Sequence, residues 1–170
     1  MGGSTYERRI LTTGGNDMSY VAEFSSLIES VSSAAGKSLE KSCYEIIDRG
    51  VPHAPPTQIP DGKMAIYCFI FKGRFLKIGK ANAKSSARYC YQHYNPKSAN
   101  STLASSILND VYFANYQLNE SNIGEWIKNK CHRVDVLLNK YGGLFTLDFI
   151  EKTLQYCYAP KYEGFKSQRD

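Results

Sequence analysis

The segment Met64-Ala-Ile-Tyr-Cys-Phe-Ile-Phe71 is a nearly unbroken apolar run of strand length, and it constrains this chain more than any other. Lys72-Gly73-Arg74 follows as turn material, and Phe75-Leu-Lys-Ile78 reads as a second strand, so the two predict a β-hairpin. Gly79 breaks the second strand. The polar, Ala- and Ser-rich stretch from Ala81 then opens a helix expected to carry Arg88 and His93. Tyr67, Lys77, Arg88 and His93 thus belong to one strand–turn–strand–helix unit. Hairpin parity sharpens the expectation, because Tyr67 and Lys77 share a face only if the loop holds an odd number of residues. A three-residue Lys72-Gly73-Arg74 loop pairs Phe71 with Phe75 and sets Lys77 diagonally beside Tyr67, with Gly73 or its neighbour at positive φ. A two-residue loop puts the two side chains on opposite faces.

The flanking segments follow from their own periodicity. Val21, Phe24, Leu27, Ile28 and Val31 give Tyr20 to Ser33 a helical spacing, and Leu39, Cys43, Ile46 and Ile47 predict a second helix from about Ser38 to Asp48. The four prolines between Val51 and Pro60 predict an extended connector. Beyond His93, Ser101 to Leu108 reads as a short helix, Val111 to Glu120 fits no single element, and Asn122 is placed to cap a helix running to Cys131. Arg133 to Leu138 alternates Val134, Val136 and Leu138 against Asp135 as a strand. Leu147, Ile150 and Leu154 then mark one stripe of a last helix, with Glu151 beside it.

With 170 residues, 42% of them hydrophobic, the chain has the material for one domain with a real core. A formal net charge of +5 and a pI near 8.9 suit a nucleic-acid partner. Thirteen tyrosines and eight phenylalanines lie among those cations, although most aromatic rings belong to the core. Five cysteines form no Cys-x-x-Cys pair and no zinc-like group with His53, His93 or His132, which predicts reduced thiols. No apolar run approaches the ~18 residues that cross a bilayer and no secretory leader is visible, so a cytoplasmic chain without a membrane partner is expected.

Ala65-Ile-Tyr67, Lys77-Ile-Gly79, Arg88 and the later Phe149-Ile-Glu151, followed by Ala159-Pro-Lys-Tyr162-Glu163, occur in an order and at spacings that resemble the GIY-YIG nuclease family. The resemblance covers roughly residues 64 to 164. Two positions depart from the pattern: Lys77 stands where the family has its second signature tyrosine, and Glu163 where it usually has asparagine. The resemblance implies an α+β fold with a small three-stranded antiparallel sheet flanked by helices. Residues 1–18 would form a flexible lead-in or an expression remnant, 19–63 an N-terminal helical hairpin and connector, and 64–170 the nuclease-like domain.

The same resemblance implies a DNA endonuclease, most like a compact restriction enzyme from a bacterium or phage, with Glu151 holding Mg²⁺ or Mn²⁺. Phosphodiester hydrolysis needs a base for the attacking water, positive charge at phosphorus and stabilisation of the leaving 3′ oxygen. Tyr67 is the expected base, Lys77 the cation that favours its phenolate, and Arg88 the phosphate grip. His93 is expected to relay protons or bind phosphate. Glu120, Glu125 and Glu163 compete with Glu151 for the metal. Base reading falls to Asn95–Ser101, Asn115–Asn129 and the tail Gly164–Arg169. Cutting both strands of double-stranded DNA implies a homodimer, with the N-terminal helices as pairing element because their apolar stripes exceed what a hairpin buries. A DNA-binding module without catalysis, and a structural or adaptor protein, are the alternatives.

Overall fold

The computed structural model describes residues 19–99 and 102–163. The lead-in over residues 1–18 and the tail Gly164–Arg169 lie outside the described residues, as do Asn100 and Ser101 of the Asn95–Ser101 loop. The fold is α+β. Helix α1 (Tyr20–Ala34) precedes strands β1 (Tyr44–Gly50), β2 (Lys63–Phe71) and β3 (Arg74–Ala81). Short helices α2 (Ser86–Cys90), α3 (Leu103–Leu108) and α4 (Ile123–Lys130) follow, then β4 (His132–Asn139) and the long helix α5 (Gly143–Tyr158). The sheet is antiparallel throughout, in the order β1-β4-β2-β3.

The sheet therefore has four strands where three were expected, because the predicted helix over Ser38–Asp48 is a short turn, Lys41–Cys43, followed by strand β1. Adjacent Ile46 and Ile47 pack against opposite cores, and this period of two overrides the helical spacing of Leu39, Cys43 and Ile46. β-branched side chains favour that outcome, and β1 completes it by pairing Tyr44 with Leu138 and Ile46 with Val136. There is accordingly no N-terminal helical hairpin. The apolar stripe of α1, expected to seat a second copy, is buried in this chain's own core, with Phe24 and Ile28 against the sheet.

One face of the sheet packs Ile66, Cys68, Ile70 and Val136 under α1 and α5. The other packs Tyr67, Phe69 and Phe71 under α2, α3 and α4. The Pro-rich connector is irregular, as expected, and is tied down through His53, whose Nδ1 and Nε2 each lie 2.8 Å from Cys131 O and Tyr94 Oη. Val111–Tyr116 is a 3₁₀ turn. Asn122 precedes α4 without capping it, since its Oδ1 accepts the Asn119 N–H at 2.8 Å. The five cysteines are free thiols. Among the described residues no helix is long and apolar enough to cross a membrane.

The β2–β3 hairpin keeps the expected facing of Tyr67 and Lys77 by a different route. Its loop has two residues, Lys72 and Gly73, both at positive φ, with Phe71 paired to Arg74. A bulge then takes up one extra residue, Leu76, between the pairs Ile70–Phe75 and Phe69–Lys77. Two loop residues plus one bulged residue restore the odd count. Lys77 lies opposite Phe69, two pairs along from Tyr67 and Gly79 and therefore on the same face.

Candidate active site

Tyr67 projects from β2 toward β3 and is almost wholly buried. Its ring crosses the backbone of β3 at Gly79, where a Cβ would come within 2.6 Å of Tyr67 Cζ and closer still to Oη. Glycine at that position is what lets a residue of an inner strand reach the edge of the sheet. The hydroxyl emerges in a cleft of about 460 Å³ lined by Tyr67, Lys77 and Arg88 from one face and by Lys80, Asp148 and Glu151 from the other. Because residues of both faces line it, the cleft lies across the open edge of β3. Glu163 also lines it. The chain past α5 runs along that edge, with Lys161 N–H donating to Phe75 O at 3.0 Å and Tyr162 N–H to Leu76 O at 2.9 Å, which sets Glu163 beside Lys77.

Four of the predicted residues, Tyr67, Lys77, Arg88 and Glu151, thus line one cleft, and His93 stands directly behind it. The predicted helix from Ala81 is three pieces: β3 continues to Ala81, Ala83–Ser85 is a 3₁₀ turn, and α2 carries Arg88 while His93 sits in a second turn. Asn82 causes the break, since its Oδ1 accepts the Lys84 N–H at 3.0 Å and its own N–H donates to Ser85 Oγ at 2.9 Å. His93 Nδ1 accepts the Leu103 N–H at 3.2 Å, so in the neutral ring the proton is on Nε2, which donates to Tyr67 Oη at 2.8 Å. Burial pushes the imidazole pKa well down, and the charges of Lys77, Arg133 and Arg88 add to that. His93 is therefore a neutral donor to the phenol oxygen, and the phenol's own proton is directed elsewhere.

Burial also pushes the Tyr67 phenol above its ordinary value; Arg88 pulls it down, while Glu163 and Glu151 push it up. Lys77 was expected to supply the favourable charge. Its Nζ instead lies 3.3 Å from Glu163 Oε1. Burial raises the Glu163 pKa, and Lys77 opposes that rise. Glu163 Oε1 is buried and makes no hydrogen bond, so Lys77 meets it as a charge rather than as a directed donor.

Glu151 is nearly buried on the cleft side of α5. Lys80 Nζ bridges Glu151 Oε2 at 2.8 Å and Asp148 Oδ1 at 2.7 Å. Among the described residues no three His, Cys, Asp or Glu side chains group as a caged metal centre requires. The donors at the cleft are carboxylate oxygens, and a hard divalent cation that keeps most of its waters fits that chemistry, whereas zinc does not. The other candidates sit elsewhere: Glu125 pairs with Lys128 at 2.6 Å and Glu120 with Lys97 at 2.5 Å on the exterior.

A buried network underlies the arginine's placement. Arg133 Nε donates to Asp135 Oδ1 at 2.9 Å, its Nη1 to Tyr94 Oη at 2.8 Å and its Nη2 to Tyr89 O at 2.9 Å. Tyr89 Oη donates to Asp135 Oδ2 at 2.8 Å, and Arg49 pairs with the same carboxylate. Tyr89 is held at its backbone and its ring, and Arg88 is its chain neighbour. The sequence showed Arg133 and Asp135 only as alternating strand residues; that both are fully buried became visible with the fold. Lys80 and Asp148 had a fainter signal, one residue past Gly79 and one helical turn before Glu151.

The class so defined is an α+β protein with a four-stranded antiparallel sheet and a mixed acidic and basic cleft at its edge. No family model, curated protein or solved structure matches the chain.

Proposed function

We propose that the protein is a divalent-metal-dependent endonuclease of GIY-YIG type that hydrolyses double-stranded DNA at a specific sequence. The observation that carries this reading is the meeting of Tyr67, Arg88 and Glu151, drawn from three separate elements, at one open sheet edge. Arg88, exposed at the rim, binds the scissile phosphate, matching its oxygens with a planar fork of donors. Tyr67 takes the proton of the attacking water as phenolate, a form that burial, Glu163 and Glu151 oppose and that Arg88 and the His93 N–H favour. Glu151 would hold Mg²⁺ or Mn²⁺, which would supply positive charge at the leaving 3′ oxygen.

Incubation with long duplex DNA and Mg²⁺ tests the reading. Discrete bands are expected from the wild-type chain, and Glu151→Gln is expected to stop cleavage while keeping duplex affinity within about twofold, since it removes a metal ligand but few phosphate contacts. A Glu151→Gln protein that cuts like wild type would sink the assignment. The Lys77–Glu163 pair favours a second reading, a module that binds DNA without cutting it, and a wild-type chain that binds duplex and leaves it intact in Mg²⁺ selects that reading.

A further inference from the structure

Helix α5 divides by its 100° per residue into three faces. Leu147, Ile150 and Leu154 are buried in the core. Leu144, Asp148 and Glu151 line the cleft, and Gln155 on the same side donates to Ile78 O at 3.0 Å. The third face, diametrically opposite the core, holds Phe145, Phe149, Lys152 and Tyr156. That is the face which solvation ordinarily makes polar. Phe145 is 90% exposed, Tyr156 87% and Phe149 38%, and Tyr141 is exposed in the turn before the helix; with Leu144 on the cleft side, half of the exposed large hydrophobic residues among those described gather on this helix and its lead-in.

We propose that this stripe is the surface through which two copies of the chain pair, with their α5 helices packed antiparallel. Aromatic side chains carry about 150–250 Å² each, so at these exposures Tyr141, Phe145, Phe149 and Tyr156 present roughly 450–750 Å². Covering that area on two copies buries about 900–1,500 Å², a span that includes the ~1,200 Å² at which specific interfaces begin. The stripe is also self-complementary. Antiparallel helices centred between Ile150 and Glu151 set Phe145 of one copy opposite Tyr156 of the other, and Phe149 opposite Lys152. The first pair is aromatic on aromatic and the second is a cation over a ring. The contact opposes no like charges.

This pairing has a functional consequence that rests on the nuclease reading, although the pairing itself does not. The two-fold axis runs between the helices and perpendicular to both. On each helix the cleft face lies about a quarter turn from the stripe, so both clefts open on the same side of the pair, with helix axes about 8–10 Å apart. One duplex can then meet two sites, one for each strand.

Sedimentation equilibrium of the wild-type chain near 10 µM, roughly the range where an interface of this size associates, tests the proposal. A dimer is expected, and Phe145→Glu or Tyr156→Lys alone should each weaken it about 30-fold or more, the loss of an aromatic anchor. In the double variant Phe145→Glu with Tyr156→Lys, each glutamate faces a lysine of the other copy, and pairing should recover. Circular dichroism should show every variant folded, since both side chains point to solvent. A wild-type monomer, or a dimer indifferent to the substitutions, overturns the proposal. So does a monomer whose Phe145→Glu form loses duplex affinity, which would make the stripe a DNA contact. A dimer that obeys the substitutions but never cuts DNA upholds the pairing and overturns the nuclease reading.

Discussion

Gly79→Ala isolates one feature of the cleft. Gly79 lies outside the left-handed region that favours glycine, so alanine there meets no backbone penalty, and by chain entropy alone it would stabilise the strand by about 0.5–1 kcal/mol. What it meets instead is the Tyr67 ring, with Cζ at 2.6 Å and Cε2 at 2.8 Å from the new Cβ. The ring is buried and anchored to His93, so it can leave only by disturbing the packed core or by breaking that hydrogen bond. Overpacking costs about 1–3 kcal/mol and the lost hydrogen bond about 0.5–1.5, so after the entropy gain the net destabilisation is about 0.5–4 kcal/mol. Thermal melting reads this as about 2–4 °C per kcal/mol for a chain of this size. In a Tyr67→Leu background the contacting atoms are gone, and Gly79→Ala should be neutral or mildly stabilising. If the enzyme reading is right, cleavage falls on the order of 10²-fold, because the hydroxyl is displaced by an ångström or more. Equal destabilisation in the two backgrounds, or none in wild type, would refute the argument that Gly79 is there to let Tyr67 through.

The Lys77–Glu163 pair should be visible in two pH profiles. Removing Glu163 takes away a charge that opposes the Tyr67 phenolate, so Glu163→Gln shifts the activity optimum downward, while Lys77→Ala leaves Glu163 uncompensated and shifts it upward; coincident profiles for all three proteins would show that Tyr67 does not feel the pair. The raised Glu163 pKa gives a linkage of definite sign: between the ordinary value near 4.5 and the raised folded value the native state holds more protons than the unfolded one, so wild type gains stability over Glu163→Gln as pH falls through that window, a difference that denaturant titrations at two pH values can check. Asp135→Asn leaves Arg133 buried with its counter-charge removed and should cost about 3–5 kcal/mol in denaturant unfolding; a loss under about 1 kcal/mol would show that Arg49 and the two tyrosines, not the carboxylate, carry the network.

The strands and the last helix were legible because their patterns are local. Met64 to Phe71 is apolar at nearly every position, as a strand covered on both faces must be, and Leu147, Ile150 and Leu154 state a helix without ambiguity. The segment Ser38–Asp48 misled because Leu39, Cys43, Ile46 and Ile47 satisfy both periods, and what decided between them was the hydrogen-bonding edge of β4, which is distant in sequence. The hairpin was right in its consequence and wrong in its mechanism. Parity demanded an odd count between Tyr67 and Lys77, yet nothing local distinguishes a three-residue loop from a two-residue loop followed by a bulge at Leu76. The convergence of Tyr67, Lys77, Arg88 and Glu151 was legible through the order and spacing of motifs that resemble a known family. The charges that modify them, Lys80 on Glu151 and Glu163 on Lys77, were not, because each partner comes from another part of the chain.

The two positions at which the chain differs from the GIY-YIG pattern it resembles answer one structural condition. An edge strand presents unpaired backbone groups, and among the described residues the segment after α5 donates its backbone N–H groups to the edge of β3 at Phe75 and Leu76, while Lys77, Gly79, Lys80 and Ala81 border the cleft. Tyr162 is thereby fixed in register against Leu76, and the next residue of each strand, Glu163 and Lys77, must meet. Lys77 is only 7% exposed. A buried ammonium facing a neutral side chain is costly, whereas a carboxylate at position 163 compensates it, and the glutamate's own burial is relieved in turn by the lysine. A lysine at 77 thus calls for an acid at 163, so the two residues form one unit. At Tyr67, burial and then Glu163 oppose the phenolate, and Arg88, the first favourable charge on the phenol, is the cation that counters them and so governs whether Tyr67 can act as a base.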